Sequence, residues 1–228
     1  PRRHRRHVRK PHRLSRYGLI KMTTENNNTR IDELVDLIKQ YYPTGISFDD
    51  PLYQSSIEYK RLKEKQQAMI ENVAYLRFID ENLKKIFSQY AVINWTYLEE
   101  YPDIEYHILL HKNQDIMDDD ICLLETLHWE RRDFFLYISI IGKYYFTFIK
   151  KTKIEQGEYL FSFDQSHNLE ERTQIEALEK FFSSEGYTSI DKTTANYIIE
   201  NIETELSPMG STTIFKCLFN DLWTIDTI

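Results

Sequence analysis

The sequence predicts an α+β fold, an antiparallel β-sheet meander flanked by N-terminal and C-terminal helices. Three observations carry this. Apolar residues recur at helical spacing before residue 90 and again after residue 168. Between them, short runs rich in Ile, Tyr and Phe replace that period. Helices, then consecutive strands, then helices is the order that yields an antiparallel sheet with segregated helices. The 228 residues are 41% hydrophobic, which suits one domain with ample apolar area for a core.

Thr29 to Tyr42 reads as the first helix. Ile31, Leu34, Val35, Ile38 and Tyr41 form its stripe, Thr29 caps it, and Asp32 and Glu33 favour its positive end. Pro43 and Gly45 stop it in the stretch "KQYYPTGI". Residues 47–53, "SFDDPLY", read as a loop. A longer helical stretch covers 55–90, with a break near Glu71–Asn72.

Strands are expected near 92–98, 105–111, 121–129, 134–141, 144–151 and 158–163. The clearest is the hairpin "FFLYISIIGKYYFTFIKK", where Gly142–Lys143 fits a two-residue type II′ turn. Its strands are apolar at nearly every position, which predicts helical cover on at least one face. Glu130 to Asp133 read as a charged turn, and Trp129 as a packing residue. Asn168 with Glu171 forms a capping-box pattern before "LEERTQIEALEKFFSSEG", and Gly186 supplies the stop. Asp191 caps a further helix over 192–206, striped by Ala195, Ile198, Ile199, Ile202 and Leu206. "TTIFKCLFNDLW" closes the fold as a strand or short helix.

Charge divides the chain. Residues 1–21 hold seven Arg, two Lys and no acid. The remaining 20 basic residues therefore stand against all 36 acids, so residues 22–228 carry a net −16. The abrupt change at Met22 predicts a basic leader left by the expression vector over 1–21, and a single acidic domain over 22–228. The alternative is a nucleic-acid-binding or membrane-binding arm. The acidic domain itself would repel phosphates. No run of 18 apolar residues exists, so no membrane span is expected. Two separate cysteines, Cys122 and Cys217, fit a reducing cytoplasm and are too few for a cysteine zinc site.

The chemistry of cofactors is missing from the pattern. The six glycines, at 18, 45, 142, 157, 186 and 210, form no phosphate loop or dinucleotide fingerprint. No cofactor is expected. His107 and His111 share a strand face but stand roughly 13 Å apart, too far to share a metal unaided. "HWE" at 128–130 lacks the downstream cysteines of a zinc deaminase. The acidic run Asp115 to Asp120 lacks the glycine and glutamate of a calcium loop. A metal-dependent hydrolase using Asp115–Asp120 with His107 or His111 is the alternative enzymatic reading.

Acids interleaved with tyrosines favour a protein-binding face, where aromatic anchors supply contact area and carboxylates complement a basic target. The candidates are Glu99, Glu100, Tyr101, Asp103, Asp118, Asp119 and Asp120, with Tyr41 and Tyr42 at the helix stop.

In layout, the segments "QYYPTGI", "FFLYISIIGKYYFTFIKK" and "ENIETELSPMGSTTIFKCLFNDL" resemble bacterial immunity proteins of polymorphic toxin systems. They cover about a fifth of the chain. The resemblance implies an acidic cytoplasmic domain that blocks a cognate toxin, and it carries over no individual residue. The expected function is therefore non-catalytic: binding a protein, a basic toxin domain, by occlusion.

Overall fold

A computed structural model describes residues 30–111, 121–164 and 168–222. The expected α+β architecture is present. The sheet runs in the order β1 (Ala91–Asn94), β2 (Asp103–Leu109), β3 (Glu130–Ser139), β4 (Tyr144–Glu155), β5 (Glu158–Asp164), antiparallel throughout, and a short β6 (Thr188–Ser189) adds to β4 in parallel.

The first helix, α1, spans 30–38 and buries Leu34 and Ile38 completely. Its stop does more than end a helix. Gly45 adopts a positive φ of 72°, and its N–H donates to the Asn201 carbonyl at 2.8 Å, beside a bridge between Thr44 and Ile202. The turn thus delivers the chain to the C-terminal segment.

The expected loop at 47–53 contains a one-turn helix, α2 (Pro51–Ser55). Asp50 accepts from the Leu52 N–H and Pro51 supplies a pre-set first helical φ. Helices α3 (Ile57–Glu71) and α4 (Val73–Ile86) divide at Asn72, the N-cap of α4, as the sequence predicts.

Strands β1 (Ala91–Asn94) and β2 (Asp103–Leu109) pair from Ala91 opposite Leu109 to Asn94 opposite Tyr106. The expected strand at 121–129 is corrected. It forms a short helix, α5 (Ile121–Thr126), that buries Leu123 and Leu124. A short apolar run of this kind has no period that separates strand from helix. His128 and Trp129 follow it with φ of 57° and 64°, where the N–H of Trp129 returns to the Leu124 carbonyl at 2.6 Å. This closes a Schellman-type cap with His128 where glycine is usual. Trp129 stays 42% exposed, so packing does not account for it.

β3 (Glu130–Ser139), β4 (Tyr144–Glu155) and β5 (Glu158–Asp164) form two successive hairpins. The charged turn expected at 130–133 is instead the start of β3. Arg131 and Asp133 point inward from it, each 2% exposed. The expected II′ turn at Gly142–Lys143 is also corrected. Residues 140–143 form a longer loop, and Gly142 is absent from the positive-φ glycines. Glycine serves there because a Cβ would lie 2.7 Å from Cδ2 of Leu37 on α1 and 2.8 Å from the Tyr144 ring. The tight hairpin is the next one. Gln156 and Gly157 have φ of 54° and 85°, the signature of a type I′ turn.

Helix α6 (Leu169–Ser184) carries the full capping box between Asn168 and Glu171. At its other end Gly186 takes φ 79°, the Tyr187 N–H reaches the Phe182 carbonyl, and the two rings pack at 5.4 Å. This is a complete Schellman stop with its apolar contact.

After β6 (Thr188–Ser189), the helix expected over 192–206 shortens to α7 (Lys192–Ala195). Its stripe is overridden by bridges to Thr44 and Thr213, while Ile198 and Leu206 remain exposed. α8 (Ile214–Leu218) ends the described fold.

Helical layers cover both sheet faces. Phe87 after α4 meets Phe134, and Phe182 of α6 stacks on Tyr145. On the opposite face, Phe215 and Phe219 pack against Tyr137 and Phe146. β3 is consequently buried from Asp133 to Ser139.

Candidate functional site

The helix stop, the α2–α3 corner, the turn before β2 and the C-terminal segment converge on one cleft of about 100 Å³. Its walls are aromatic. Phe48, Tyr53 and Tyr59 meet edge to face, with centroids 5.0 Å and 5.3 Å apart for the pairs sharing Tyr53. Ser56 caps α3 and fixes Tyr59 in its first turn by accepting the Tyr59 N–H. Tyr53 is fully buried and donates to the Glu203 carbonyl at 2.8 Å. Tyr42 donates to the Cys217 carbonyl at 2.9 Å. Burial pushes both phenols well above their ordinary range, so both remain neutral donors.

Around this floor stand Glu99, Glu100 and Glu205, all exposed, with Tyr101 half-buried between them. The turn holding the first two is closed by the Tyr101 N–H donating to the Tyr97 carbonyl at 3.0 Å. Burial, then the adjacent Glu100, raises the Tyr101 pKa.

The cleft already contains a cation. Lys63 places its ammonium 5.5 Å from the Tyr59 ring centroid and donates to the Glu99 carbonyl at 3.1 Å. Its burial lowers its pKa, while Glu205 and Glu100 act in the opposite sense. Deeper in, Asp221 accepts from the Thr204 and Ser207 hydroxyls and from the Leu206 N–H, with Lys216 3.8 Å away.

Of the residues predicted from sequence, Tyr42, Glu99, Glu100 and Tyr101 meet in this cleft. Tyr41 is half-buried, packs on the core and does not line it. Asp103 opens β2 opposite Ser139 and is 2% exposed, so it leaves the accessible face. Burial, then the nearby Glu105, raises its carboxyl well above the usual range. Asp118, Asp119 and Asp120, the whole Asp115–Asp120 run and the basic segment 1–21 lie outside the described residues.

Two side-chain pairs within strands escaped the sequence reading. Glu105 meets Nε2 of His107 at 2.6 Å, under a Trp95 ring stacked 5.0 Å above the imidazole. Arg131 meets Asp133 at 2.8 Å inside the sheet. Each is an i, i+2 pair, and strand alternation places such residues on one face. That spacing was the available signal. Lys63, Glu205 and Asp221 had none, because their proximity comes from tertiary structure.

His111 and His128 line a separate depression with Glu130, Arg131 and Arg132. Burial, then Arg131, lowers the His111 pKa and favours a neutral ring. His107 is committed to Glu105. Among the described residues, no group of three His, Cys, Asp or Glu side chains is arranged to hold a metal ion. Within the same residues, no helix is long and apolar enough to cross a membrane.

Comparison with known protein families, curated proteins and solved structures finds no match to this chain.

Proposed function

We propose that this chain is a non-catalytic protein-binding domain that docks a basic side chain of its partner into the cleft at Glu99, Glu100 and Tyr101. The observation that supports it is Lys63. An aromatic wall rimmed by three carboxylates already holds one ammonium group, which is the chemistry an incoming lysine or arginine would use. The volume favours a single side chain. Small-molecule pockets occupy about 300–1,000 Å³, well above this cleft. Trp95 and Tyr97, 50% and 51% exposed on the preceding stretch, supply the flat aromatic area a protein interface needs.

Within this reading, the net −16 of residues 22–228 steers a basic partner, and the layout resemblance points to toxin blockade by occlusion in the cytoplasm. The test is co-purification from the source cell with the native chain and with the Glu99→Lys/Glu100→Lys pair. The native chain retains a basic protein in a salt-sensitive complex, and the charge-reversed chain loses it. Expression of that protein alone arrests growth and co-expression restores it. A partner held equally by both chains removes the cleft from the interface. A harmless partner removes the toxin reading alone.

A further inference from the structure

We propose that two copies of this chain pair antiparallel through β5, in the register that sets Leu160 opposite Leu160, joining their sheets into one. Among the described residues, β5 is the outer strand of the sheet beyond β4. Its sequence, EYLFSFD, contains neither proline nor lysine, the usual devices that block an open edge. Instead Tyr159, Leu160 and Phe161 are 43%, 45% and 55% exposed in its middle. Exposed apolar side chains on both faces of an open strand fit a strand partner better than water.

The backbone is phased for this pairing. The Ile154 N–H points away from β5, to the Trp129 carbonyl, so Lys153 and Glu155 turn their polar groups toward β5. Their partners Leu160 and Glu158 are then engaged with β4, and the N–H and C=O groups of Tyr159 and Phe161 face outward. With Leu160 at the two-fold axis, Tyr159 of each copy falls opposite Phe161 of the other. Both outward-facing residues then exchange their two hydrogen bonds, and Leu160 forms the closer, non-hydrogen-bonded pair. The existing Tyr159–Phe161 stack, 6.4 Å between centroids, becomes a four-ring strip.

Charge selects this register. An axis at Phe161 would set Glu158 against Asp164, two acids directly opposed. The axis at Leu160 sets Glu158 against Ser162, whose β4 neighbour is Lys151. Lys151 already meets Glu130 at 2.6 Å, so the selection rests on the neutral serine opposite Glu158. The interface is isologous and therefore closes at two copies. It is independent of the Glu99–Tyr101 cleft.

Sedimentation of the full chain over a concentration series tests the proposal, with crosslinking to fix the register. A concentration-dependent dimer is expected, and Leu160→Lys loses it by opposing two cations. In a Cys122→Ser background, which removes the exposed native thiol, Leu160→Cys forms an intermolecular disulfide and Phe161→Cys does not. Non-hydrogen-bonded pairs bring Cα atoms to about 4.5 Å, within disulfide reach. A monomer at every concentration with no Leu160→Cys crosslink overturns the proposal, as does preferential crosslinking through Phe161→Cys. A monomer with slowly exchanging Tyr159 and Phe161 amides would assign the edge to a segment of its own chain, and also overturns it.

Discussion

Arg131 and Asp133 join at 2.8 Å along one face of β3, with side chains only 2% and 3% exposed. Removing one member leaves the other charge sealed in the sheet. Arg131→Met is expected to cost about 3–5 kcal/mol of stability in urea unfolding, the range for an orphaned buried ion. Replacing both together, as Arg131→Met with Asp133→Leu, recovers most of that loss. A cost as large in the double variant as in the single would show that the pair itself, and not the stranded charge, holds the strand.

Asp103 predicts a pH dependence. Its folded pKa is raised by burial and by Glu105, so the folded state binds this proton more tightly than the unfolded chain. The native fold thus loses stability as pH rises from the ordinary aspartate range toward the folded pKa. Asp103→Asn removes that loss. Its melting temperature should exceed the native value at neutral pH, and the gain should shrink on acidification. A gain that grows toward low pH would reverse the sign and sink the assignment.

Gly142 is a steric prediction. Gly142→Ala drives a Cβ to within 2.7 Å of Leu37 and should cost about 1–3 kcal/mol, as overpacking does. Leu37→Ala in the same chain should return part of it. Because Gly142 has no left-handed backbone, equal destabilisation with and without Leu37 would place the clash at the Tyr144 ring and remove Leu37 from it.

In the cleft, Tyr59→Ala should weaken a captured partner by about 2 kcal/mol or more if Tyr59 is a central anchor. Glu99→Gln and Glu100→Gln should act mainly by slowing association, with a shallower salt dependence. Titration calorimetry and stopped-flow mixing separate the two effects.

The sequence carried those parts of the fold that local chemistry decides. The α1 stripe, the division at Asn72, and the Asn168 box with its Gly186 stop depend on residues within one or two turns of each other. The failures have a common cause. Residues 192–206 have a helical stripe, but beyond Ala195 they leave the helix for isolated bridges from Ile202 to Thr44 and from Ile198 to Thr213. β-Branched isoleucines there tolerate that extension. Gly142 looked like a turn residue because its steric neighbour, Leu37, lies far away in sequence. The cleft was half legible. Acids and tyrosines near residue 100 announced themselves by composition. Tyr53, Tyr59, Lys63, Glu205 and Asp221 join them only after four separate segments fold together.

The Tyr42 hydroxyl rests on the carbonyl of Cys217, 175 residues further along. With Gly45 bound to Asn201, this means that the beginning of the domain is finished by its end. On the ribosome, the turn after α1 must wait for its partners until residues 201 and 217 have emerged. Such long-range closure slows assembly. Pulsed hydrogen exchange during refolding should find the Gly45 amide protected no sooner than those of α8. Nascent chains truncated before residue 200 should be digested by protease at the turn after α1, whatever the state of the central hairpins.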